Sequence, residues 1–145
     1  MYKETVTYVD YNGVERTESH YFNLTEAEIL EMEMSTAGGF AEMVQGIIDA
    51  KDQPAIIKIF KDLIFKAYGR KSADGRLFEK SDKLSLEFSQ TPVYSKLFMK
   101  YALDEKAGAA FINGLMPAEL VAKANALNKQ GVAPVASIAP SVETE

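Results

Sequence analysis

Residues 2–29 read Tyr-Lys-Glu-Thr-Val-Thr-Tyr-Val-Asp-Tyr-Asn-Gly-Val-Glu-Arg-Thr-Glu-Ser-His-Tyr-Phe-Asn-Leu-Thr-Glu-Ala-Glu-Ile, and a change of period inside them decides the fold. Residues 2–9 are rich in β-branched and aromatic types. Val6 and Tyr8 alternate with Thr5, Thr7 and Val9, the period of a strand. Asp10-Tyr11-Asn12-Gly13 comes next, and Asn-Gly is the strongest short hairpin signal because both residues tolerate positive φ. Residues 14–22 then read as the return strand. A lone hairpin is only marginally stable in water, so this one must pack on something. Beyond it the pattern turns helical. Thr25 and Glu28 form a capping box, and Leu24 and Ile29 staple the start of a helix running to about Met34.

Ser35-Thr36-Ala37-Gly38-Gly39 breaks that helix. A second is predicted over 40–51, with Phe40, Met43, Val44, Ile47 and Ile48 on one face. A third opens at Asp52-Gln53-Pro54 and is the most apolar segment. Ile56, Ile59, Phe60, Leu63, Ile64 and Ala67 form its stripe, Ile57 and Phe65 widen it, and Gly69 stops it. Residues 70–83 are the longest polar stretch and read as a loop. Asp74-Gly75 marks a turn there, with Leu77 and Phe78 as anchors to the body. Leu84, Leu86 and Phe88 mark a short helix. Thr91-Pro92 starts another, and Val93, Tyr94, Leu97, Phe98, Tyr101 and Ala102 share its face. Asp104 caps the next, which Gly108 and Gly114 weaken, and 118–128 form the last. The fold class expected is mainly α (α+β), an N-terminal β-hairpin (1–23) packed on a multi-helix body (24–128). Residues 1–128 are expected to form one domain. The small, proline-punctuated residues 129–145 read as a flexible, disordered tail.

The 145 residues are of one-domain size, with 47% hydrophobic and 26% charged side chains, enough to build a core. There is no cysteine, which excludes disulfides, thiolate metal sites and cysteine nucleophiles. His20 is the one histidine, so two-histidine catalysis is excluded too. No apolar run approaches the roughly 18 residues a bilayer span needs. Residues 1–5 lack the apolar stretch of a signal peptide. A soluble intracellular protein without cofactor or metal is expected.

Candidate chemistry is sparse. His20, beside Glu18, reads as a partly packed strand histidine because no nucleophilic constellation accompanies it. Glu26, Glu28, Glu31 and Glu33 read as a solvated helix face, favoured by the macrodipole at the helix start. Gly69-Arg70-Lys71-Ser72 lacks the spacing of a phosphate loop. Charge is uneven. Residues 1–49 carry a net -8, residues 50–103 a net +5 and residues 104–145 a net -2. Arg70, Lys71, Arg76, Lys80 and Lys83 make a basic loop with Tyr68 and Phe78 nearby, a pattern that nucleic-acid binders use. Asp74, Glu79 and Asp82 offset it and the whole chain has a pI near 5.0, so docking on an acidic protein surface is the better reading. Met32, Met34, Met43, Met99 and Met116 supply adaptable apolar contacts.

The run from Phe60 to Pro117 is the most specific part of the chain. It holds Phe60-Lys61-Asp62-Leu63-Ile64, Ala67-Tyr68-Gly69, Lys71-Ser72, Asp74-Gly75-Arg76, Lys80-Ser81, Tyr94-Ser95 and Phe111-Ile112-Asn113-Gly114-Leu115-Met116-Pro117. With the hairpin and the Leu24-Thr25 helix start, residues 2–117 resemble the tail assembly chaperones of long-tailed phages and prophages of Gram-positive bacteria. The resemblance transfers no active site and implies a non-enzymatic role. It implies a protein in the cytoplasm of the bacterial host that binds the hydrophobic tape measure protein and keeps it soluble until the tail tube polymerises. Other tail proteins, self-association and a frameshifted longer form that extends the chain after Asn128 belong to the same expectation. The candidate contacts are Met32, Met34, Phe40 and Met43 on the early helices and Tyr94, Phe98 and Tyr101 on the later ones, each weighed against a core role. The alternatives are a structural tail or neck component of the virion, and a nucleic-acid-binding regulator using 70–83.

Overall fold

The computed structural model describes residues 1–129. Strands β1 (Tyr2–Val9) and β2 (Glu15–Phe22) form the expected antiparallel hairpin, in register from Tyr2 opposite Phe22 to Val9 opposite Glu15. Its turn is held by Asp10, whose carboxylate accepts from the N–H groups of Asn12 and Val14 at 2.8 and 2.9 Å and from Arg16 at 2.6 Å. Val6 and Tyr8 point into the core, as the alternation predicts.

The helices come next, with the caps expected at Thr25, Thr91 and Asp104 in place. They are α1 (Glu26–Ser35), α2 (Phe40–Asp49) and α3 (Gln53–Ala67). Two short strands, β3 (Tyr68–Lys71) and β4 (Phe78–Glu79), precede α4 (Asp82–Ser89), α5 (Pro92–Leu103), α6 (Glu105–Leu115) and α7 (Ala118–Lys129). Thr25 and Glu28 close the capping box on α1. Asp52, Ser81, Thr91 and Asp104 each accept a first-turn N–H on α3, α4, α5 and α6. Among the described residues no helix is long and apolar enough to cross a membrane. The expectation of a disordered tail concerns residues that lie, but for Lys129, outside those described.

Four expectations are corrected. The hairpin is not alone, because β1-β2-β3-β4 form one antiparallel sheet, and residues 70–83 supply strands and a helix start rather than a loop. Gly69 does not end a helix but lies in β3. A Cβ there would stand 2.5 Å from the Phe78 ring and 2.7 Å from the carbonyl oxygen of Glu79. The chain therefore needs a residue without a side chain where the second hairpin closes. Leu77 is exposed rather than an anchor, and only Phe78 turns inward.

The core is contiguous from Val6 to Met116 and strongly aromatic. Tyr101 and Phe111 stack at 4.2 Å, as do Tyr68 and Phe88 at 4.1 Å. Phe22 meets both pairs edge-on, 5.4 Å from Phe111 and 5.9 Å from Tyr68 and Phe88. The sheet is thereby keyed onto α4, α5 and α6. Gly108 lets α6 close on α5, since a Cβ there would lie 2.6 Å from the Tyr101 carbonyl oxygen and 2.9 Å from Phe60. The glycine that weakens α6 as an isolated helix is what brings it into contact. Polar ties reinforce the junction. The Tyr101 hydroxyl donates to Glu4 at 2.8 Å, and Lys100 reaches the same carboxylate at 3.2 Å.

Candidate functional site

An aromatic strip lies where α3 meets α5. The proline start of α5 sets its phase, burying Val93, Leu97 and Tyr101. That places Tyr94 and Phe98, one turn apart, on the flank toward α3. Their rings stack at 5.9 Å, and Phe65 of α3 meets Tyr94 edge-on at 5.8 Å. All three are half-buried. Burial raises the pKa of the Tyr94 hydroxyl, so it stays neutral and can only exchange hydrogen bonds. A half-covered aromatic face of this kind offers rigid apolar area at small entropic cost.

The early-helix candidates fall differently. Met43 is exposed, Met34 and Phe40 are half-buried, and Met32 is buried. Tyr101 is buried as well, stacked on Phe111. Met32 and Tyr101 are thus removed from the exposed set, because their faces point to the body. Met99, one of the adaptable methionines, is exposed on α5, and so are Leu103 on α5, which the sequence does not single out, and Ile57 on α3, which it places on the apolar stripe. An open groove between α1 and α7 is lined by Ala27, Leu30, Leu120, Ala124 and Leu127, with Glu26 and Lys123 facing across it at 3.8 Å.

The basic set is not one free patch. Lys80 bonds both carboxylate oxygens of Glu28 at 2.7 Å and the carbonyl of Asn23 at 3.0 Å. Arg70 faces Glu87 at 3.5 Å, and the Lys71 ammonium sits 4.4 Å over the Tyr21 ring. Arg76 and Lys83 remain exposed. Lys80 is therefore a structural clasp between β4 and α1. Burial disfavours the Glu28 carboxylate, but the bonds from Lys80 and Thr25 outweigh it and hold its pKa below the usual range. A depressed carboxylate contributes stability above its unfolded pKa and loses it as pH falls through the folded value. Glu28→Gln is expected to cost about 1–3 kcal/mol at neutral pH. The gap to the parent should close in acid, read by melting temperature against pH. A gap that persists below the carboxylate range would refute the ionic clasp.

The acidic face of α1 is also corrected. Glu33 is fully buried, and its Oε2 accepts from the Ala41 N–H at 2.7 Å. The cause lies at the start of α2, whose N-cap Gly39 has no side chain to offer. Gly38-Gly39 before a helix is the signal that a cap must come from elsewhere. His20 packs against Phe88 at 5.4 Å, and burial lowers its pKa against the opposing pull of Glu18. Among the described residues, no three His, Cys, Asp or Glu side chains converge as metal ligands.

Among known protein families, the one described as phage tail assembly chaperone matches residues 1–144. No curated protein and no solved structure matches the chain. The family match takes in the sheet, every helix from α1 to α7 and the aromatic strip, and on that extent the chain belongs to the phage tail assembly chaperone family.

Proposed function

We propose that this chaperone binds the tape measure protein in the host cytoplasm and keeps it soluble until the tail tube forms around it, without catalysing a reaction. The observation that carries the reading is the strip of Phe65, Tyr94 and Phe98, a half-exposed aromatic face on a folded body of that family. Burying apolar surface of a client there supplies the driving force. The exposed Met43 adds an adaptable contact elsewhere on the body. The uneven charge, acidic before residue 50 and basic to residue 103, tunes encounter with the client more than affinity.

Co-expression with the neighbouring tail proteins and a pull-down test the reading. The tape measure protein should be retained on the tagged chaperone and should move from the pellet to the soluble fraction. A tape measure protein equally soluble without the chaperone, or never retained by it, sinks the proposal. Stoichiometric recovery of the chain in purified particles would favour a structural tail role instead.

A further inference from the structure

The hydrogen bonding of the sheet leaves part of β2 open. Asn23 donates to the carbonyl of Ala67, and Tyr21 pairs with Gly69, so odd-numbered residues of β2 direct their N–H and C=O groups toward β3. The β2–β3 ladder stops there, with only Tyr21 and Phe22 paired. Beyond it the strands diverge around a cleft of about 490 Å³ lined by Ser19, His20, Gly69 and Lys71. Glu15, Thr17 and Ser19 thus present a row of backbone donors and acceptors that no strand among the described residues takes up. Lys96 of α5 donates to the outward carbonyl of Thr7 on β1 at 2.9 Å, and β4 is two residues long. The open stretch of β2 has no proline, and the exposed Arg16 and half-exposed Glu18 within it are of opposite sign.

We propose that this edge is a self-recognition surface, where Glu15–Ser19 pairs antiparallel with the same segment of a second copy, centred on Thr17. The register comes from the chemistry. Odd residues must face odd residues for the backbone groups to meet. Centring on Thr17 sets Arg16 opposite the second copy's Glu18, twice by symmetry. A parallel in-register pairing would set like charges opposite each other. The hydroxyl pairs Thr7–Thr17 and Thr5–Ser19, each 2.9 Å, already line the outer face of the hairpin, and pairing would extend that row across the dimer. Glu15 of the second copy would come beside Ser19, at the mouth of the cleft where Lys71 lies over Tyr21 without a carboxylate among the described residues. The Arg16–Glu18 and Glu15–Lys71 contacts are therefore complementary in a single register.

Sedimentation and light scattering of the full chain across the micromolar range test the surface. The parent should pass from monomer to dimer as concentration rises. Thr17→Pro removes an N–H that no hairpin bond uses, so the fold should persist, checked by circular dichroism. Its dimer should weaken by about tenfold or more. A parent that stays monomeric throughout, or a folded Thr17→Pro variant that dimerises as tightly, overturns the proposal. If Thr17→Pro does not fold, charge reversal decides. Arg16→Glu and Glu18→Arg should each dimerise poorly alone, and mixing the two should restore a mixed dimer. Failure of the mixture to associate better than its parts also overturns it.

Discussion

Phe111→Ala is expected to destabilise the fold by about 3–5 kcal/mol, the cost of emptying a large aromatic site in a packed core. Phe111 is fully buried. It stacks on Tyr101 at 4.2 Å and meets Phe22 and Tyr2 edge-on at 5.4 and 5.5 Å. Phe60 approaches at 6.4 Å. Its ring therefore joins both strands of the first hairpin to α3, α5 and α6. The loss combines transfer of the ring with a cavity that these neighbours cannot fill, because they are pinned elsewhere. Tyr101 is held by Glu4, and Phe22 by Tyr68 and Phe88. Domains of this size are stable by only about 5–15 kcal/mol, so the variant should unfold at much lower denaturant and temperature. Urea denaturation checks it. A loss below about 1 kcal/mol would mean that the ring is not the joint described.

The second large effect is on client binding. Tyr94→Ser with Phe98→Ser is expected to reduce retention of the tape measure protein by at least about tenfold, since aromatic anchors dominate such interfaces. Both side chains also pack against the core, so some stability is lost with them. The comparison that separates the two causes is Met99→Gln with Leu103→Gln, on an exposed face of the same helix. That variant should bind as the parent does. Adding Tyr94→Phe, which keeps the ring, guards against a purely structural loss. If the serine variant melts above the assay temperature and still retains the client fully, the strip is not the contact. If the Met99 and Leu103 variant alone fails, the contact lies on the other flank of α5.

The helices were legible because their signals are local. Thr25, Thr91 and Asp104 each lie within three residues of the N–H they cap, so the cap and its donor are read together, and Asp52 with Pro54 marks the start of α3 in the same way. Ser81 caps α4 by the same rule but lies inside the stretch that reads as a loop. The first hairpin was legible for the same reason, through Asn12-Gly13 and the alternation around Val6 and Tyr8. The second was not. Residues 68–79 are short, polar and glycine-bearing, and their pairing depends on β2, which lies three helices earlier in the chain. Glu28 and Glu33 look alike on an acidic helix. One is clasped by Lys80 and the other is buried to cap α2, and each partner lies outside the helix.

The candidate contacts divide along the same line. Spacing put Tyr94, Phe98 and Tyr101 on one face of α5, but a helical face is broad. Only the neighbours decide which part of it is covered. Phe111 and Glu4 cover Tyr101, whereas α3 leaves Tyr94 and Phe98 half open. Reading residues in order was enough for the first hairpin, the helices with the caps of α1, α5 and α6, and a chain lacking cysteine and holding a single histidine. It also carried the family resemblance that the family match supports. Folding was needed to show that the sheet has four strands, that Lys80 and Glu33 are structural, and that β2 keeps an open edge. The two sets differ in range. Caps, turns and periodicity act over one to four residues and are written in the local sequence, whereas burial, strand pairing and ion pairing depend on which distant segment arrives.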